Sequence, residues 1–177
     1  MSDQTTSEYP SAEFLHSVSL DDYNRVLSNY DKIYDRINIA MALCGVLLLV
    51  ILSNIDIKAI MDWSNYSNLE KMAISIYSLC AVGSAVLIVI AVIRLLLLSK
   101  SKEVLSFDSN SIKTEELYKE SVENAALWVT LQYIRVINDI RAKTNEKQRA
   151  FNASIVQIII SLLAFVVSMM IYNGGLL

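Results

Sequence analysis

The stretch AFNASIVQIIISLLAFVVSMMIYNGGLL, residues 150–177, carries no charge. Within it Ser154, Gln157, Ser161, Ala164 and Ser168 recur at steps of three or four. That spacing predicts a helix with one face of small and polar side chains and apolar residues elsewhere. Its length suffices to cross a bilayer, whose hydrocarbon core takes about 20 helical residues. A hydroxyl or amide turned to lipid still needs a hydrogen-bond partner. The stripe is therefore expected to face another helix or water, which is a first hint of a pore.

Two more uncharged runs are present, Ile37–Ile55 around GVLLLVIL and Met72–Ile93, the latter continuing past Arg94 into Leu95–Leu98. The chain is 54% hydrophobic with a single proline, above the roughly 45–50% of soluble domains. The expected fold class is an all-α integral membrane protein. It has three transmembrane helices, an N-terminal cytoplasmic amphipathic helix, and a long cytoplasmic helix continuous with the third span. Arg25, Lys32 and Arg36 precede the first span, and ten Lys or Arg lie in residues 94–149, against Lys58 and Lys71 in the first connection. Positive-inside logic places the N-terminus and second connection in the cytoplasm, and the C-terminus across the inner membrane in the periplasm. No cleavable signal peptide is visible, so the first span is expected to serve as an uncleaved anchor.

The chain is expected to divide into six parts. Residues 1–19 are a flexible tail with a short helix capped by Ser11. Residues 20–55 are an amphipathic helix, capped by Ser19 and running into the first span, with Tyr23, Val26, Tyr30, Ile33 and Ile37 on one face. Residues 56–71 are an external loop, with Trp63 and Tyr66 as interfacial anchors. Residues 72–98 are the second span. Residues 99–149 hold a cytoplasmic loop and a helix opening at Thr114, with Tyr118, Val122, Ala125, Val129, Gln132, Val136 and Ile140 as its seam. Residues 150–177 are the third span.

Catalytic constellations are missing from the sequence. There is no Gly-rich phosphate loop, no metal-ligand spacing, and no triad around the single His16. No enzyme, metal or cofactor is expected. Cys44 and Cys80 fall inside spans and read as small apolar residues. Gly45, Gly83, Ser84 and Ala85 suit close helix packing. The stripe has two readings. As interhelical glue it joins neighbouring helices. As a pore lining it needs an oligomer in which every copy turns Ser154, Gln157, Ser161 and Ser168 to a central axis, with Asn173 at the outer exit. Arg141, Lys143, Lys147 and Arg149 gather near the inner mouth. They are either the positive-inside signal itself or an anionic-ligand site, with Tyr118, Trp128 and Tyr133 available for base stacking.

The tyrosine-rich lead YNRVLSNYDKIYDRIN (residues 23–38), a second span ending in Arg94, and a long helix passing through NEKQRAFN (residues 145–152) into a polar-striped span form a pattern. This pattern resembles the small multi-pass membrane effectors of bacterial nucleotidyltransferase-linked antiphage systems. These include two-span helical effector domains and, most closely, the membrane component of Hailong-type systems. The resemblance implies an oligomeric pore-former of the inner membrane, as a tetramer, controlled by an oligonucleotide from a partner nucleotidyltransferase and depolarising the cell on infection. The alternative is a non-conducting membrane scaffold that recruits a cytoplasmic partner through its long helix.

Overall fold

The computed structural model of the chain describes residues 11–61, 66–100, 104–105 and 119–174. Among them regular structure is helical throughout: α1 (Ala12–Ser53), α2 (Ile57–Met61), α3 (Asn68–Ser99) and α4 (Val122–Asn173). As expected, three helices, α1, α3 and α4, are long and apolar enough to span a membrane.

Helix boundaries differ from expectation at two places. α1 begins at Ala12 and is unbroken, with Leu15 N donating to Ser11 O at 3.0 Å, so Ser19 lies inside the helix and caps nothing. No proline or glycine separates the two expected segments, and helix elongation then costs less than a second nucleation. α4 begins at Val122, where Ser121 accepts from Asn124 N at 3.3 Å. The expected start at Thr114 lies outside the described residues, and residues 119–121 are not helical. From Val122 onward the helix does run without a break into the uncharged stretch.

The chain divides into two compact units, Met1–Ile33 with Lys102–Lys147, and Tyr34–Ser101 with Gln148–Leu177. The first, charged unit buries Val26, Tyr30 and Ile33 of α1 and Thr130, Val136, Ile137 and Ile140 of α4. Tyr133 packs its ring at 5.8 Å from His16 and 5.2 Å from Tyr23. The expected α4 seam is partly displaced. Val136 and Ile140 are buried, but Val129, Ala125 and Gln132 are half-buried and Val122 is exposed. The observed repeat steps by seven through Tyr133, Ile140 and Lys147, with Thr130 and Ile137 beside it.

The second, apolar unit is organised by the same repeat. Its buried residues are Ile37, Ala40, Cys44 and Ile51 of α1, and Ser154, Ile158, Ser161 and Ser168 of α4. On α3 two seven-residue rows, Ile74–Ala81–Ile88–Leu95 and Tyr77–Ser84–Ala91, are buried together. A repeat of 3.5 keeps one seam facing its neighbours, the geometry of shallow, coiled-coil-like packing. Ser67 and Glu70 form a capping box that starts α3: the Ser67 side chain accepts from Glu70 N, and the Glu70 carboxylate accepts from Ser67 N at 2.7 Å. Tyr77 ties α3 to the end of α1, donating to Asn54 O (3.2 Å) and accepting from Asp56 N (2.9 Å). Tyr172 stacks on Tyr77 at 5.6 Å and donates to the Asp56 carboxylate at 3.1 Å. The C-terminal ends of α1 and α4 therefore meet the N-terminal end of α3. Gly45 and Gly83 are not close-approach points within the chain, because a Cβ at either would meet nothing within 4 Å.

Candidate functional site

The polar stripe of α4 lies inside the apolar unit. Ser154, Ser161 and Ser168 are 0% exposed, and Gln157 is half-buried. The buried hydroxyls are satisfied at short range. Ser154 donates to Ala150 O at 3.1 Å and Ser168 to Phe165 O at 2.7 Å, both along their own helix. Ser161 donates across to Ser84 O on α3 at 2.7 Å, while Ser84 donates to Ala81 O at 2.8 Å. Gln157 Nε2 donates to Leu87 O at 2.9 Å. Moving four residues on along α4 moves three back along α3, so the two helices are antiparallel.

In the single chain the three serines are thus buried, Ser161 against α3, and none of them is exposed. The outward side of α4 is apolar, with Leu163, Val166 and Met170 exposed. Asn173, at the end of α4, is exposed. A hydroxyl that already has a carbonyl partner gains nothing from lipid, and this explains the inward turn of the stripe.

The sequence reading passed over one contact in this unit. Arg94 Nη1 donates to Gln157 Oε1 at 2.9 Å, so the amide is held from both ends. The signal was available: Arg94 is a single cation flanked by Ile93 and Leu95–Leu98. A cation inside an apolar helical run generally marks a polar partner or a water-facing position. Arg94, Ala153 and Ser154 also line an apolar-walled cavity of about 370 Å³.

The four basic residues expected at the inner mouth do not form one open cluster. Arg141 is bound to both carboxylate oxygens of Asp22, at 2.9 and 2.7 Å. Lys143 pairs with Asp139 at 2.9 Å, one helical turn away. Lys147 is 1% exposed and sits with its ammonium 5.5 Å from the centre of the Tyr30 ring. Arg149 is exposed and belongs to the apolar unit. A step of two on a helix turns about 200°, so Arg141 and Lys143 point to different sides, as do Lys147 and Arg149. Lys143 and Lys147, one turn apart, are engaged by Asp139 and Tyr30 respectively. Of the aromatic residues expected to stack on bases, Tyr133 is occupied by His16 and Tyr23, Trp128 is half-buried, and Tyr118 lies outside the described residues, as does Trp63.

Asp139 has a second partner, the backbone N–H of Leu105 at 3.0 Å. The Lys143 side-chain hydrogen bond, then that of Leu105, hold its carboxyl below the usual aspartate range. Among the described residues no group of His, Cys, Asp and Glu is placed to hold a metal ion. No family model, no curated protein and no solved structure matches this chain.

Proposed function

We propose that this chain is a homo-oligomeric, ligand-gated channel effector of the bacterial inner membrane, with the charged unit in the cytoplasm as its sensor. The packed seam between α3 and α4 is its non-conducting arrangement. Conduction requires Ser154, Gln157, Ser161 and Ser168 to turn from their buried positions toward an axis shared by the copies, which we take to be four. The controlling signal is an oligonucleotide from a partner nucleotidyltransferase, and opening depolarises the infected cell. The resemblance of the lead and the long helix to antiphage membrane effectors supports the signal and the setting.

One observation carries the channel reading. Gln157 and Arg94 form a polar contact between two of the most apolar helices of the chain. Polar and ionisable groups at such positions are costly, and they commonly mark ion or substrate paths. α4 also carries Arg141 and Lys147 of the charged unit on the same unbroken helix. A change in that unit has a continuous element through which to act.

The scaffold reading has an observation of its own, the complete burial of the three serines, with Ser161 bonded to α3, and an apolar outer face. That is how interhelical glue looks. Purified full-length protein in planar bilayers separates the two readings. The channel predicts discrete current steps, with conductance reduced in Gln157→Leu while membrane insertion is unchanged. In cells, a voltage-sensitive dye should report depolarisation by the wild type and much less by the variant. A quiet baseline under every ligand condition overturns the channel and leaves the scaffold.

A further inference from the structure

The charged unit contains two polar cavities, of about 430 and 370 Å³, and Arg25 and Arg141 line both. Their size falls in the range of about 300–1,000 Å³ typical of small-molecule sites. The second cavity is lined by Arg25, Val26, Asn29, Arg141, Thr144 and Asn145, with no carboxylate in its wall. Asp22 stands at the junction. Its Oδ1 accepts from Arg25 at 2.7 Å and from Arg141 at 2.9 Å, so one carboxylate oxygen holds both guanidinium groups.

That arrangement has the chemistry of an anion clamp. A guanidinium offers five N–H donors in a planar fork that fits the oxygens of a carboxylate or phosphate. The contacts to Asp22 engage one nitrogen of each arginine. The Asn29 and Asn145 side chains, both exposed, add amide donors at the rim. The Thr144 Oγ1, buried in the wall, has no hydrogen-bond partner among the described residues, and a polar atom in that state is costly. Two cations sharing one anion leave a single positive charge in the second cavity, and a dianionic group that displaces the carboxylate balances both arginines; Asp21 and Asp22 line only the first cavity. The carboxylate already shows where the arginines hold an oxygen.

We infer that this cleft, built by Arg25, Asn29, Arg141, Thr144 and Asn145 with Asp22 as internal competitor, is a binding site for a soluble phosphate-bearing anion. The inference deepens the reading of the charged unit as a sensor and rests on it. It moves the ligand site away from Lys143, Lys147 and Arg149, leaving Arg141 as the shared residue. An anionic lipid headgroup has the same phosphate chemistry, but Arg141 lies roughly 13 Å of helix before the uncharged stretch begins at Ala150.

The test is calorimetric titration of full-length, detergent-solubilised protein with inorganic pyrophosphate at low and moderate salt. Saturable, salt-dependent binding is expected. Arg25→Ala and Arg141→Ala should each weaken it about tenfold or more, the worth of a hydrogen bond to a charged group. Arg25 has a side chain 70% exposed, so its removal leaves the fold intact. Asp22→Asn should strengthen binding several-fold by releasing both arginines. A purely structural Asp22 predicts the opposite sign. Lys143→Ala and Arg149→Ala should leave affinity unchanged. Absence of pyrophosphate binding, indifference to Arg25→Ala and Arg141→Ala, or binding to phosphatidylglycerol vesicles alone overturns the proposal. No current is measured, so failure here leaves the conduction test standing, and a silent bilayer leaves the binding result standing.

Discussion

Lys147 shares its helix face with Ile140, Ser154, Ser161 and Ser168, each seven residues from the next, and it is buried with them. Its four-carbon stem fills space beside Tyr30 while the ammonium lies over the ring. Lys147→Ala should therefore lower stability by about 1–2 kcal/mol, and Lys147→Met, which keeps the stem, should lose less. Thermal unfolding of the solubilised protein checks the order, and equal losses would show that packing along the stem is unimportant. Asp139 supplies a pH signature. Its folded carboxyl titrates below its ordinary range because Lys143 and the Leu105 amide stabilise the charged form. Stability from this group is thus complete above the unfolded aspartate range and is lost as pH falls through the folded value. Asp139→Asn should flatten the acid side of the stability profile and leave the alkaline side unchanged. An unchanged acid limb would assign that loss to other carboxylates.

At the scale of elements, the α3–α4 seam depends on small side chains at full burial. Ser161→Ala removes one hydroxyl bond to Ser84 O and should cost only about 0.6 kcal/mol, the typical worth of such a bond between membrane helices. Ser161→Leu adds volume where there is no exposed surface and should cost about 1–3 kcal/mol. Denaturant unfolding in mixed micelles compares them, and a leucine variant as stable as the alanine one would show that the seam is loose. Gly45 and Gly83 behave differently. Both face open space within the chain, so alanine there should stabilise each helix by up to ~1 kcal/mol. If these glycines instead join copies of the chain, the same substitutions break the oligomer, which cross-linking would read directly.

The orientation expected from the lysine and arginine distribution is open to test by labelling. With Cys44 and Cys80 replaced by alanine, Asn54→Cys and Asn173→Cys should react with a membrane-impermeant maleimide in intact cells once the outer membrane is opened. Asn138→Cys should react only after the inner membrane is permeabilised. The reverse pattern would invert the orientation drawn from the lysine and arginine distribution, and with it the placement of the charged unit as a cytoplasmic sensor.

Uncharged runs of sufficient length are a local property, so residues 37–55, 72–93 and 150–177 by themselves predict the three membrane-length helices that the structure contains. Helical spacing likewise marked Ser154, Gln157, Ser161 and Ser168 as one face, and Tyr30, Ile33 and Ile37 as another. Which partner each face meets depends on residues distant in the chain. Only the tertiary structure buried the serines and set Ser161 on α3, joined Gln157 to Arg94 across 63 positions, and set Asp22 between Arg25 and Arg141 across 119. The basic residues near 141–149 looked like one cluster because sequence proximity resembles spatial proximity. A helix turns about 100° per residue, which separates Arg141 from Lys143, and partners distant or one turn away, Asp22, Asp139 and Tyr30, engage Arg141, Lys143 and Lys147 one by one.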